Sequence, residues 1–443
     1  MTYEDVITLL GEFGFYQKRV YFLLCLPAIS GCMQALMSVF TLAVPDHRCA
    51  IPGLDNDTWD LQDSKHTAMF NASIPTSDTL SSMCRLYADV TPRLRTSNWS
   101  YPMVRNGNFS YADNEGQGLR ETTSCSRYVY DTSSYTSTIV TQMDLVCENQ
   151  LLRSHAQMVF MSGALFGSVA CGLPSDIFGR KKMLMISLVL HSVASLVITW
   201  SSYFPFLCVL LFLNGAAVTG IFTNAFVIGM ELVGPSKRVW TGYVMEIFWS
   251  LGMMLLAPIA FFVRDWQRLQ LTTSLLTLPF LSYWWLVPES PRWLMSRGRR
   301  QEAEAILQTV AKTNKVCLPE KLLDGAECLR EEERQVEEES VLAALQHPAI
   351  LTRCFVIFYA WMVSSLTFYG LNLNVGSLSG NVYVNFLLSG IMELVSYILC
   401  LCLLDRVGRR ALNCGLMILA GVTCTATIFP VLYAPPCKNE DNQ

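Results

Sequence analysis

Apolar residues along this chain are gathered in runs of about 20, the length that crosses a bilayer, rather than spread at the one-faced period of a soluble helix or strand. Such runs occupy Tyr21–Val44, Leu152–Leu173, Met183–Ser201, Phe206–Met230, Val239–Val263 and Leu269–Val287. After a long charged interval come Leu351–Leu371, Val382–Leu404 and Ala411–Ala434. Nine membrane-crossing helices, in a group of six and a group of three, are therefore expected. The first run is too long and too deep for a signal-peptide core, and acidic Glu4 and Asp5 precede it where a signal peptide is basic, so it reads as a retained helix.

Polar positions between the runs set orientation. Lys18/Arg19, Arg180/Lys181/Lys182, Lys237/Arg238, Arg292–Arg300 and Arg406/Arg409/Arg410 all fall on one side, which the positive-inside rule makes cytoplasmic together with the N-terminus. The chain then divides into a cytoplasmic N-terminus (1–20), a first span (21–44), an extracellular loop (45–150), spans two to six (151–288), a cytoplasmic loop (289–350), spans seven to nine (351–434) and an extracellular tail (435–443). The long loop checks this assignment, because all four N-x-S/T sequons of the chain lie in it, at Asn56, Asn71, Asn98 and Asn108. It also carries Cys49, Cys84, Cys125 and Cys147. An even number in an oxidising compartment implies two disulfides, with three pairings possible. The remaining cysteines lie in spans, at Cys317 and Cys328, or at Cys437, and read as small apolar fillers. The cytoplasmic loop passes from a basic run into the acidic stretch Glu331–Glu339, a pattern of amphipathic helices with a charged face at the cytoplasmic ends of the bundle.

Composition agrees: 52% of residues are apolar and 15% charged, against about 25% charged in soluble chains. A net charge of −4 gives none of the basic field that holds nucleic acid. Catalytic motifs are missing: there is no Gly-rich phosphate loop, no His-Glu-x-x-His, no zinc-spaced Cys/His cluster and no Gly-x-Ser-x-Gly elbow, since Leu378 takes the nucleophile position in Gly376–Gly380. Of five histidines, His191 alone lies well within a run. Neither an enzyme, a metal site nor a cofactor is expected.

The informative signal is a repeated cytoplasmic turn. After the second run comes Gly172-Leu173-Pro174-Ser175-Asp176-Ile177-Phe178-Gly179-Arg180-Lys181-Lys182, and after the eighth Asp405-Arg406-Val407-Gly408-Arg409-Arg410. Both read Asp-x-x-Gly-basic-basic, with glycine for a tight reversal, aspartate at a helix end and basic residues at inner headgroups. Two copies at equivalent places are the internal duplication of a transporter built from parallel repeats.

This turn resembles the signature loop of the major facilitator superfamily. Val44–Cys49 (Val-Pro-Asp-His-Arg-Cys), Asp144–Cys147, Asp265–Gln270 and Pro288–Leu294, which includes Glu289 and Arg292, resemble the solute carrier 22 family of organic cation, zwitterion and anion transporters. The resemblance implies an all-α polytopic membrane protein of the major facilitator fold, with a complete six-helix N-terminal half and three of the six spans of the C-terminal half. It implies twelve spans in a full member, so a chain stopping after the ninth is expected to be incomplete. Leu211 stands where many superfamily members place an arginine, which suits a uniporter.

Polar groups inside spans are costly in lipid and point to a pathway. Glu231 ends the fourth run, Glu246 lies in the fifth and Glu393 in the eighth. The stretch Gly380–Glu393 resembles the eighth span of the cation and carnitine branches, which places a glutamate there. Matching to the family puts Phe222, Phe248 or Trp249, Trp361 and Tyr369 around it, and a ring face can stabilise a desolvated ammonium by about 2 kcal/mol. The expectation is a plasma-membrane carrier of small organic cations or zwitterions, needing no cofactor and open to homo-oligomerisation. Organic anion transport, sodium-coupled carnitine-like transport and a non-transporting regulatory product are its rivals.

Overall fold

A computed structural model describes residues 3–52, 54, 57–75, 83–88, 121–316, 347–378 and 380–433. Asn56, Asn98, Asn108, Cys317, Cys328, Cys437, the stretch Glu331–Glu339 and the tail 435–443 lie outside them. Among the described residues seven helices are long and apolar enough to cross a membrane: Phe15–Thr41, Cys147–Phe178, Arg180–Ile198, Phe204–Leu232, Pro235–Phe262, Pro348–Leu373 and Val382–Leu404.

In chain order, α1 (Tyr3–Leu9) precedes α2 (Phe15–Leu36), which runs on through Met37, itself in helical conformation, to α3 (Ser38–Thr41). The first spanning helix thus starts at Phe15, before the expected Tyr21. Its opening N–H groups have no partner in their own helix, and Asn314 supplies one from the far side of the chain: Tyr16 N–H donates to Asn314 Oδ1 at 3.0 Å. Asn314 in turn donates to the Leu10 carbonyl at 3.0 Å. After α4 (Ser64–Ser73) and α5 (Ile139–Met143) the long helices follow: α6 (Gln150–Phe178), α7 (Arg180–Ile198), α8 (Phe204–Leu232) and α9 (Arg238–Phe262).

The sixth run does not form one helix. It is divided into α10 (Trp266–Leu275), a 3-10 stretch at Leu278–Ser282 and α11 (Tyr283–Leu286). Pro279 has no N–H to continue the ladder, and the hydroxyls of Ser274 and Thr277 hydrogen-bond backbone carbonyls of the preceding turn, at 2.7 Å each. Then come the shorter helices α12 (Pro291–Ser296) and α13 (Arg300–Asn314), and the long helices α14 (Pro348–Leu373) and α15 (Val382–Val407). The ninth run is likewise split, into α16 (Arg409–Ala426) and α17 (Ile428–Tyr433). Because α16 opens on Arg409 and Arg410 it is less uniformly apolar than its neighbours.

Close packing fixes the first half. A Cβ added to Gly163 of α6 would sit 2.1 Å from the Phe212 carbonyl oxygen of α8, and one on Gly215 of α8 would sit 2.2 Å from that of Phe160. Small residues let two membrane helices approach backbone to backbone, where packing replaces the hydrophobic drive that lipid removes. At the end of the bundle that holds the N-terminus, Leu307, Val310 and Ala311 of α13 bury against Tyr3, Val6, Ile7 and Leu10, so α13 keeps its charged side outward.

The loop after the first span is a small folded unit. Strand β1 (His47–Cys49) pairs antiparallel with β4 (Tyr128–Tyr130), and β2 (Arg85–Tyr87) with β3 (Thr122–Ser124). The disulfides are Cys49–Cys125 and Cys84–Cys147. Inside it Arg48 holds Asp57 by two hydrogen bonds, at 3.0 and 2.5 Å, and His66 bonds the same carboxylate at 3.0 Å. Burial raises the Asp57 pKa, but the Arg48 bonds, the Ile51 N–H and the Arg48 charge outweigh it and hold the carboxyl below its ordinary value. Asn71 is exposed on α4. On the disulfide-loop side an aromatic cluster joins the first half to α15: Phe40 stacks on Tyr383 with centroids 5.5 Å apart and meets Phe386 edge-on at 5.0 Å. Tyr383 also donates to the Ser134 carbonyl at 2.9 Å.

Candidate functional site

Beside this cluster α2, α6, α8, α9, α14 and α15 line a cavity of about 570 Å³, within the size range of small-molecule sites. Glu246 and Trp249 are one turn apart on α9, so they share its face; Phe222 comes from α8, Trp361 and Tyr369 from α14, and Glu393 from α15, and all six line the cavity. Phe222 and Trp249 meet edge to face with centroids 5.6 Å apart. Phe248 is not in the wall. It points the other way from its neighbour Trp249 and packs edge-on against Phe22 at 5.6 Å, because adjacent residues on a helix face about 100° apart.

Three groups were not singled out from the sequence. Tyr397 lines the cavity and donates its hydroxyl to Glu393 Oε1 at 3.1 Å. The Glu393-x-x-x-Tyr397 spacing, one helical turn, was the available signal. Phe368 and Ser365 also line it; Phe368 precedes Tyr369 and Ser365 lies one turn before it, and nothing in their pattern distinguishes them from lipid-facing positions.

The first signature turn joins the C-terminal end of α6 to the N-terminal end of α7. Gly172 is not in it: α6 runs through Pro174 to Phe178, and the turn contracts to Gly179. Arg180 pairs with Asp176 and reaches Glu231 at 3.4 Å. The Lys181 N–H at the start of α7 donates to Glu289 Oε1 at 2.9 Å, a carboxylate at the positive end of a helix. The Asp176 carbonyl accepts from Trp293 Nε1 at 2.8 Å and Arg297 at 2.7 Å. Arg292 is exposed.

At the second turn Gly408 has φ 87° and ψ 147°, beside 112° and 148° at Gly179, a region open in practice to glycine. Arg406, Arg409 and Arg410 are exposed there.

The helices, the cavity between them and the duplicated turn define a membrane transporter of the major facilitator type. The family model described as "Sugar (and other) transporter" matches residues 118–441. Among solved structures the chain resembles the E. coli xylose transporter XylE in a partially occluded inward open conformation, with a TM-score of 0.52 and 15% identity over 89% of this chain and 74% of that one. Among curated proteins it is 40% identical to the Drosophila melanogaster "Organic cation transporter protein", over 97% of this chain and 75% of that protein. It is 33% identical to mouse "Solute carrier family 22 member 21" (95% and 73%) and 32% identical to human "Organic cation/carnitine transporter 2" (92% and 71%). The chain belongs to the solute carrier 22 family of the major facilitator superfamily.

Proposed function

We propose that the chain carries small organic cations or zwitterions across the plasma membrane by alternating access, with the N-terminus in the cytoplasm. The carrying observation is the cavity wall, in which two carboxylates and a set of aromatic rings meet with no lysine, arginine or histidine among the described lining residues. Carboxylates in a partly desolvated cavity repel anions and compensate an ammonium, and ring faces add to its stabilisation. Glu393 is the principal counter-charge, Phe222, Trp249, Trp361 and Tyr369 pack round the substrate, and Tyr397 fixes the carboxylate. The membrane potential drives uptake, at about 2.3 kcal/mol per elementary charge per 100 mV. The signature turn around Asp176, Arg180 and Glu289 acts as a cytoplasmic latch.

The test is uptake of radiolabelled tetraethylammonium into cells expressing the chain, with surface delivery verified. Uptake that falls when the potential is collapsed, and is lost in Glu393→Gln, is the expected result. Equal uptake by Glu393→Gln, or uptake of an anionic probe in its place, overturns the assignment. Sodium replacement separates this reading from sodium-coupled carriage, which the likeness to an organic cation/carnitine transporter keeps as a second reading.

A further inference from the structure

A second hollow lies away from the central cavity, at the start of the first spanning helix. Phe15, Lys18, Arg19, Phe22 and Leu23 of α2 and Leu286 of α11 line a groove of about 510 Å³. Its two walls are tied together, since the buried Tyr283 of α11 donates its hydroxyl to the Leu23 carbonyl. Phe15, Phe22 and Leu286 are exposed, which is ordinary on a spanning helix because lipid tails are as apolar as these side chains. Two adjacent cations sharing their groove are not. Lys18 and Arg19 are both exposed, and no aspartate or glutamate is among the described lining residues. Lys18 Nζ lies 5.8 Å from the Phe13 ring centroid, a cation–π contact that limits its swing.

The neighbours of the groove on α11 give its depth. Trp284 and Trp285 are 50% and 80% exposed, and Lys181 Nζ stands over the Trp284 ring at 5.5 Å; exposed tryptophan beside lysine marks the headgroup level of a bilayer. We propose that the groove is a binding site for an anionic phospholipid, with the headgroup phosphate at Arg19 and Lys18 and an acyl chain over Phe22, Leu23 and Leu286. A planar guanidinium takes a phosphate by two parallel hydrogen bonds, the ammonium adds a second charge, and basic pockets between membrane helices suit such headgroups. In the orientation proposed above the groove opens to the inner leaflet, where anionic lipids are concentrated. A lipid seated there braces the first helix of the N-terminal half against the last, whatever the central cavity carries.

The test is native mass spectrometry of the purified full chain in mixed micelles holding equal amounts of phosphatidylserine and phosphatidylcholine with matched acyl chains. Phosphatidylserine is expected to be retained with a preference of about tenfold or more. Changing Lys18→Gln and Arg19→Gln together brings the ratio near unity, while Lys18→Arg, which keeps the charge, retains the preference. As a second readout, phosphatidylserine raises the thermal midpoint of the unaltered chain and not that of the double variant. A ratio near unity in the unaltered chain, or a preference that survives the double variant, overturns the proposal. Glycerophosphoserine, the headgroup without tails, displaces the lipid only at far higher concentration; displacement at equal concentration gives the groove to a soluble phosphate and overturns the lipid. If the double variant does not fold, Arg19→Gln alone is expected to lose most of the preference, and its full retention overturns the proposal. None of these readouts requires transport, so they stand or fall apart from the cation-carrier reading.

Discussion

The two signature turns share a sequence pattern and a backbone, yet their surroundings differ. At each, the glycine N–H closes the preceding helix, Gly179 onto Ser175 at 3.2 Å and Gly408 onto Leu404 at 3.1 Å, and its carbonyl opens the next. Around Gly179, however, Glu289, Trp293 and Arg297 arrive from the segment after the sixth run and bond both strands of the turn. Around Gly408 no such segment is seen among the described residues. A local sequence of six residues is enough to dictate the reversal; the clamp is a tertiary addition.

The sharpest way to break this comparison is alanine at both glycines. Gly408→Ala meets only the backbone strain of a positive φ, since nothing lies within 4 Å of its Cβ, and should cost about 1–3 kcal/mol. Gly179→Ala adds a collision with Glu289 Oε2 at 2.5 Å, worth about 1–3 kcal/mol more. The detergent-solubilised protein should therefore show the lower thermal midpoint for Gly179→Ala; equal midpoints would mean that the clamp yields freely. Next in size is Glu289→Gln, which removes a charge from the α7 N-terminus and should cost about 0.3–2 kcal/mol. Its loss should speed thiol labelling of a cysteine introduced at Ser175, and unchanged labelling would remove Glu289 from the latch.

Trp293→Phe keeps the ring and deletes the bond to the Asp176 carbonyl, at about 1 kcal/mol by the same thermal assay. Smallest of all is Arg410→Gln at the exposed second turn, expected within about 0.5 kcal/mol. A larger drop there would mean that the second turn has its own clamp.

Much of this architecture was legible because lipid leaves so few options. Seven of the apolar runs could be read as helices from length and composition, since backbone groups in lipid must be satisfied internally. The sixth run misled because its apolar content hides Pro279 and hydroxyls that bond back to the backbone. The turn falls at Gly179 and not as early as Gly172, because the apolar run ends at Leu173 while α6 carries Pro174 and continues to Phe178. Six of the seven residues proposed for the site line one cavity, and the exception, Phe248, was a choice between neighbours that only helix phase decides. Tyr397 was missed because a tyrosine in a span has no meaning until its turn partner is known. The disulfide pairing depends on strand register, which three-residue strands in a long loop do not announce.

That pairing has a consequence for how the protein is made. Cys49 lies just beyond the first span and Cys147 begins the run into the second, and the two bonds interleave along the chain, closing loops with separations of 76 and 63 residues. Neither can form until the ribosome has delivered the later partner, and Cys84 must wait for the residue that borders the next membrane helix. In the topology proposed above, the loop would reach the lumen as an open thread and lock only once Cys147, at the edge of the second helix, has been delivered. Sealing the loop thus follows delivery of the residue that borders the second helix.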